Sequence, residues 1–154
     1  MKKIITLFAF IALTFACSSD DDAPKSEEQT NEQKRELIIN GSPWYFTSAT
    51  VIEVGFNPAN LTKAEVENII NRDYEDSELR FSADGSGLLV LDGFDFDFTW
   101  GLNSAGNEIV LGGQLGTFTG LSVKPNELLF TMAETCHSVN PDADVCAEAR
   151  FKFN

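Results

Sequence analysis

Cysteine, histidine and basic residues are all scarce in this 154-residue chain, which has three cysteines, one histidine and 11 lysines and arginines. Only two cysteines, Cys136 and Cys146, lie near the single histidine, which is poor zinc spacing, so we expect no metal and no cofactor. The basic residues stand against 24 acidic ones, for a formal charge of −13. Such a chain repels polyanions, so we expect no nucleic-acid partner.

A catalytic signature is also lacking. The histidine, His137, is expected in a mobile loop with no nucleophile beside it, because the neighbouring Cys136 is expected to be bonded. Acidic residues abound, but a glycosidase needs two carboxyl groups flanking a cleft, and nothing in the sequence marks such a cleft. We therefore predict that the protein is not an enzyme.

No apolar run approaches the roughly 20 residues that cross a bilayer as a helix. Residues 4–16 are a 13-residue apolar stretch that follows Lys2 and Lys3 and ends at Cys17. After Cys17 the chain switches abruptly to serine and aspartate. A basic start, a short apolar stretch and a small residue before the break predict a secretory signal over residues 1–16.

The end of this stretch resembles the lipobox of bacterial lipoproteins, carried by Leu13-Thr14-Phe15-Ala16-Cys17. The resemblance implies that the Cys17 thiol is acylated and holds the protein on a membrane. The alternative is an ordinary secreted protein whose first mature residue lies nearby. An odd cysteine in an exported protein requires an explanation. Lipidation of Cys17 supplies one, leaving Cys136 and Cys146 as a pair that we expect to form a disulfide in an oxidising compartment.

Residues 17–36 are rich in Ser, Asp, Glu, Gln and Lys, and we predict that they form a disordered tether. The acidic start of this segment resembles the export signal of surface lipoproteins from the Bacteroidetes group. That resemblance implies an outer-membrane lipoprotein exposed at the cell surface. A tether that faces the periplasm is the alternative.

Residues 37–154 predict a single all-β domain. We expect eight strands, at about 44–54, 78–82, 87–92, 94–102, 108–111, 116–123, 126–135 and 145–153. One short helix is predicted between strands one and two, where Thr62 and Glu65 have the spacing of a capping box. Behind them Val66, Ile69 and Ile70 form a narrow apolar stripe.

This domain resembles the lipocalin-like lipoproteins of the Bacteroidetes group. The resemblance is carried by residues 37–41 with Trp44, and by residues 81–86, 100–102 and 128–130. It implies an up-and-down antiparallel lipocalin-like β-barrel of about eight strands, with Trp44 plugging one end. A flattened β-sandwich is the alternative.

The candidate ligand-binding residues are those that alternation places inside the barrel. One set is Phe94, Phe96, Phe98 and Trp100, which share a strand face; the other is Phe46, Ser48 and Thr50, counted from Trp44. An eight-stranded barrel is just wide enough to be filled by side chains or to hold one small ligand. The two hydroxyls favour a ligand cavity, since a few polar groups in an apolar pocket are typical of a binding site.

The longest predicted connections, residues 55–77 and 136–146, both fall at the end away from Trp44, which we expect to be the functional end. The sequence therefore predicts a lipid-anchored envelope protein that binds a small apolar or amphipathic ligand. The alternative is a non-catalytic interaction module with a filled core and an unidentified protein partner.

Overall fold

The structure is a computed structural model and describes residues 29–112, 116–140 and 143–154. The predicted signal peptide over residues 1–16, the lipidation site Cys17 and tether residues 18–28 lie outside the described residues. Within the described part of the chain, no helix is long and apolar enough to cross a membrane.

The described residues form two helices and eight strands, and the strands lie close to the predicted bounds. The helices are α1 (Asn31–Asn40) and α2 (Lys63–Asp73). The strands are β1 (Trp44–Val54), β2 (Glu78–Phe81), β3 (Ser86–Leu91), β4 (Phe94–Leu102), β5 (Ile109–Leu111), β6 (Thr117–Lys124), β7 (Glu127–Asn140) and β8 (Ala143–Phe153).

Each strand pairs antiparallel with the next, and β8 returns to β1, so the sheet is a closed up-and-down barrel. The predicted fold class is confirmed, and the β-sandwich alternative is wrong. The pairs Phe46↔Phe153 and Val54↔Ala147 define the two ends of the seam between β1 and β8. We call the end at Trp44 the closed end and the end at Val54 the rim.

Helix α1 covers the closed end and corrects the predicted tether, because residues 31–36 are helical and not disordered. Thr30 caps the helix in a reciprocal capping box with Gln33. The fully buried Ile38 accepts a hydrogen bond at its carbonyl from Trp44 Nε1, at 2.8 Å. The Arg35 guanidinium lies 4.7 Å from the centre of the Trp100 ring. Because a single side chain of α1 is fully buried, hydrophobic periodicity was too weak to reveal the helix.

Helix α2 completes the barrel wall beside β1. The predicted capping box between Thr62 and Glu65 is confirmed. Strand β1 pairs with β2 only at Trp44 and Tyr45, so the rest of that edge lacks a strand neighbour. The side-chain amide of Asn71 takes the place of the missing strand neighbour. It accepts a hydrogen bond from Ala49 N and donates one to Ala49 O, both at 2.8 Å. Asn71 thus satisfies the backbone of Ala49, and Val51 N donates to the Glu67 carboxylate of the same helix at 3.0 Å.

The barrel interior is filled by aromatic rings. Phe118 and Phe130 stack with their centroids 4.0 Å apart, and Phe130 lies 5.8 Å from Phe151 and 5.6 Å from Phe153. The void among these side chains measures about 30 Å³, far below the roughly 300 Å³ at which small-molecule pockets begin. Among the described residues, the interior therefore leaves no room for a drug-sized ligand.

The predicted disulfide between Cys136 and Cys146 is confirmed. The long loop expected between these cysteines is wrong, because β7 continues to Asn140 and β8 begins at Ala143. The cysteines are direct cross-strand partners, and the ladder continues above them with His137↔Val145. The prediction that this segment lies at the end away from Trp44 is right, since the β7–β8 hairpin lies at the rim.

We expect the double variant Cys136→Ser/Cys146→Ser to fold and to lose about 2–3 kcal/mol of unfolding free energy, because the crosslink closes a short segment of the unfolded chain. Urea titration followed by circular dichroism measures the loss. A reducing agent should lower the stability of the wild type by the same amount as the double substitution does, and it should leave the stability of the double variant unchanged. Equal stability of the two proteins in the absence of reductant would contradict this assignment.

A pH-dependent contribution is expected from Glu127, the first residue of β7. Its carboxylate accepts from Lys124 Nζ at 3.0 Å and lies 3.2 Å from Lys152 Nζ. The hydrogen bond from Lys124 and then that from Lys152 lower the pKa of Glu127. The stabilisation is therefore complete above the unfolded pKa, about 4.3, and is lost as pH falls through the lower folded pKa.

The Glu127→Gln variant should accordingly lower Tm at pH 7 and have a smaller effect at pH 2, about two units below the ordinary Glu pKa, because protonation removes the wild-type charge as the pH falls. Thermal unfolding at both pH values measures the difference. Glu36→Gln is the control, because Glu36 forms no ion pair among the described residues. An equal Tm shift for Glu127→Gln at both pH values would show that its charge is not responsible.

Candidate functional site

A cleft of about 550 Å³ opens at the rim, between the end of α2, the turn after β3 and the upper part of β7. We call it the rim cleft. Its walls are Arg72, Asp73, Tyr74, Glu75, Leu91, Asp92, Cys136, His137 and Ser138. The cleft is of the size that small-molecule sites have, and it lies outside the barrel interior.

Tyr74, which caps the C-terminus of α2, separates the rim cleft from the interior. It lines both spaces, and its ring lies 4.8 Å from Phe151 and 5.8 Å from Phe46, centroid to centroid. Burial raises the pKa of the Tyr74 phenol, an effect partly offset by the Thr135 hydroxyl. Tyr74 is therefore a neutral phenol at physiological pH, and it forms the floor of the cleft.

His137 is buried on β7 and is not in a mobile loop as predicted. Its Nδ1 lies 2.8 Å from Asp73 Oδ2, and its Nε2 lies 2.8 Å from Thr135 Oγ1. Asp73 directs its other oxygen to the Arg72 guanidinium, at 2.6 Å. This network joins α2 to β7 across the rim and fixes one wall of the cleft.

The direction of these hydrogen bonds follows from the carboxylate, which can only accept. With the ring neutral, Nδ1–H donates to Asp73 and Nε2 accepts from the Thr135 hydroxyl. The same connectivity of hydroxyl, imidazole and carboxylate occurs in hydrolases. Thr135, however, is 6 % exposed and is not among the residues that line the rim cleft. A bound molecule in the cleft meets the imidazole wall and not the hydroxyl.

The charges around the rim cleft are mostly negative. Arg72 is engaged by Asp73. Glu75 and Asp92 are exposed, and within the described part of the chain they form no ion pair. Leu91 and the Tyr74 ring supply an apolar surface beside them. This combination favours an amphipathic molecule with a cationic group.

The predicted interior positions on β1 are only partly correct. Phe46 packs in the core, with its ring 5.6 Å from Phe153. Ser48 is half-buried and Thr50 is exposed, so neither supplies a hydroxyl to a cavity. The register between β1 and β8 shifts between Phe46 and Ser48. This bulge reverses the faces of the residues that follow it, which places Ala49 and Val51 inside, and a second register shift between Val51 and Glu53 reverses the faces again.

On β4 the predicted interior positions divide into two pairs. Phe98 and Trp100 are buried as expected, both in edge-to-face contact with Phe81. Phe94 and Phe96 are 66 % and 43 % exposed, so the prediction that they line the interior is wrong. Strand β5 pairs only with residues 100–102 of β4, and the first half of β4 therefore extends beyond the closed part of the barrel.

One group of side chains in the described residues has the spacing of metal ligands, namely Glu134 with Cys136 and Cys146. The two sulfurs are bonded to each other, and a disulfide supplies no thiolate ligand. The group is therefore part of the crosslink. The residues that build the rim cleft were missed by sequence analysis, since Asp73 and His137 are 64 positions apart and no local pattern joins them.

Comparison with protein-family models, with curated proteins and with solved structures finds no match to this chain.

Proposed function

We propose that the protein is a lipid-anchored binding protein of the cell envelope that takes a small amphipathic molecule in the rim cleft. The observation that carries this proposal is a cleft of about 550 Å³ floored by Tyr74, above an interior void of only about 30 Å³. The binding place is thus moved from the interior, expected from the sequence, to the rim. The resemblance to lipocalin-like lipoproteins supports the general class.

The ligand chemistry follows from the walls. Glu75 and Asp92 are exposed carboxylates that form no ion pair among the described residues, and Leu91 and Tyr74 offer apolar contact. A molecule with a cationic head and a short apolar tail matches both the carboxylates and the apolar surface. No catalytic role is part of this proposal, because Thr135 does not line the cleft.

The first experiment is a calorimetric titration of the protein with hexyltrimethylammonium and with hexanoate. Hexyltrimethylammonium should bind and hexanoate should not. Added salt should weaken the binding of the cation because exposed charges are screened. Ser138→Trp places a large ring in the cleft and should abolish binding. Ser138→Ala loses the same hydrogen bond to Asp144 without filling the cleft and should bind like wild type.

Native mass spectrometry of protein extracted from envelope membranes should then show a co-purifying small molecule in the wild type and in Ser138→Ala. Its retention by Ser138→Trp would contradict a rim site. So would tighter binding of hexanoate than of the cation.

The lipid anchor rests on the resemblance at Cys17, and its test is separate. Mass spectrometry of the mature N-terminal peptide should show an acylated Cys17, and Cys17→Ser should release the protein from the membrane fraction. An unmodified peptide that begins elsewhere would contradict the anchor without affecting the cleft. Protease treatment of intact cells distinguishes a surface-exposed domain, which is cleaved, from one that faces the periplasm.

A further inference from the structure

Strand β4 has an edge without a strand partner. On one side it pairs with β3 from Phe94 to Thr99. On the other side β5 pairs only with Trp100, Gly101 and Leu102. Within the described ranges of the chain, residues 94–98 therefore have no strand on the β5 side.

Two hydrogen bonds show which backbone groups face this edge. Trp100 N donates to Gly85 O at 2.8 Å, toward β3, whereas Thr99 O accepts from Gly112 N at 2.7 Å, on the side of β5. Backbone groups of successive residues in an antiparallel strand point to alternate sides. The amide and carbonyl groups of Asp95 and Asp97 consequently point out of the sheet edge, where an added strand would pair with them.

The side chains along this edge are exposed and alternate in character. Phe94 and Phe96 lie on one face, 66 % and 43 % exposed, and the exposed Asp95 and Asp97 lie on the other. The nearby cation Arg80 is already paired with Glu78. One face of the edge is thus aromatic, and the other carries two carboxylates that form no salt bridge among the described residues, with the Arg80 charge near Asp95.

We propose that residues 94–98 of β4 dock an extended segment of another protein in which basic and apolar residues alternate. Such a segment adds a strand to the sheet, with backbone hydrogen bonds at Asp95 and Asp97. Its basic side chains lie opposite the two carboxylates and its apolar side chains opposite Phe94 and Phe96, the cross-strand pairs that stabilise a sheet. This docking surface shares no residue with the rim cleft, although Phe94 pairs across the strands with Leu91 of the cleft wall.

A second copy of this chain is a poor occupant of the same edge. Antiparallel pairing of two β4 edges about Phe96 would set Asp95 of one copy against Asp97 of the other. Like charges directly opposite each other destabilise a strand pair, and charged residues commonly protect sheet edges from self-association. The charge pattern therefore selects a basic partner over a second copy.

The test titrates the full chain with a seven-residue peptide that alternates lysine with valine. Fluorescence anisotropy measures the binding of the peptide, and amide hydrogen exchange measures the protection of the protein backbone. The peptide should bind, and the amides of Asp95 and Asp97 should become protected. The double variant Asp95→Asn/Asp97→Asn should weaken binding by about tenfold, from the loss of two cross-strand pairs, and Phe96→Ala by about threefold, from the loss of one. All three positions are exposed, so these variants are expected to fold.

Two controls separate strand addition from simple charge attraction. A peptide that alternates glutamate with valine should not bind. Glu32→Gln/Glu36→Gln removes two exposed carboxylates from α1, at the closed end, and should leave the affinity unchanged. Equal weakening by the α1 variant, or binding without protection of the Asp95 and Asp97 amides, would overturn the proposal. Protection that rises with protein concentration without peptide would assign the edge to a second copy and overturn it as well.

Discussion

Replacing Trp44 by alanine should lower the free energy of unfolding by about 3–5 kcal/mol, the range measured for large aromatic truncations in a packed core. The Trp44 side chain is fully buried at the closed end, beneath Gly41 and Ile38 of the α1 region. Its removal leaves a cavity there. It also leaves the Ile38 carbonyl without the indole donor that now lies 2.8 Å away. Urea unfolding followed by circular dichroism measures the effect.

Two further variants divide the Trp44 effect into its causes. Trp44→Phe keeps much of the ring and loses the N–H donor, so it should cost about 1–3 kcal/mol, the penalty for an unsatisfied buried acceptor. Tyr45→Ala, on the exposed face of the same strand, should have a small effect because Tyr45 is 54 % exposed. A Trp44→Ala loss no larger than that of Tyr45→Ala would refute the assignment of Trp44 as the plug.

The Phe130→Ala variant should also lose about 3–5 kcal/mol, because Phe130 is 1 % exposed and stacks on Phe118 at the centre of the barrel. The space left would join the void of about 30 Å³ that already exists beside it. An apolar cavity of this kind stays dry and takes up small apolar molecules. We therefore expect the variant to bind benzene, raising its Tm, while the wild type does not.

Phe96→Ala is the matched control for Phe130→Ala. The same atoms are removed from a side chain that is 43 % exposed, so the loss should be about 1 kcal/mol or less and no benzene site should form. If the wild type bound benzene inside the barrel, the interior would not be filled, and the sequence-based expectation of an interior ligand would be restored.

The fold could be predicted because its signals are local. Alternation of apolar residues, turn residues between strands and the Thr62–Glu65 capping box located eight strands and α2 within a few residues. The resemblance to lipocalin-like lipoproteins supplied the closure into a barrel, which no local pattern contains. Helix α1 was missed because its stability comes from Ile38 and Trp44 packing at the closed end and not from its own periodicity.

The candidate site was less predictable because it depends on tertiary register. One bulge after Phe46 reversed the faces of Ser48 and Thr50, and alternation alone cannot locate a bulge. The exposure of Phe94 and Phe96 depends on the length of the neighbouring β5, which is set by pairing between strands. The contact between Asp73 and His137 joins a helix end to a distant strand. Each of these features becomes visible only once strand neighbours are known.

The most direct test is to locate bound hexyltrimethylammonium by nuclear Overhauser effects to assigned side chains. The filled interior and the cleft floored by Tyr74 predict contacts from the ligand to the Leu91 methyl groups and to the Tyr74 ring. Contacts to Phe130 or Phe153, which line the small interior void, would place the ligand inside the barrel and contradict the account.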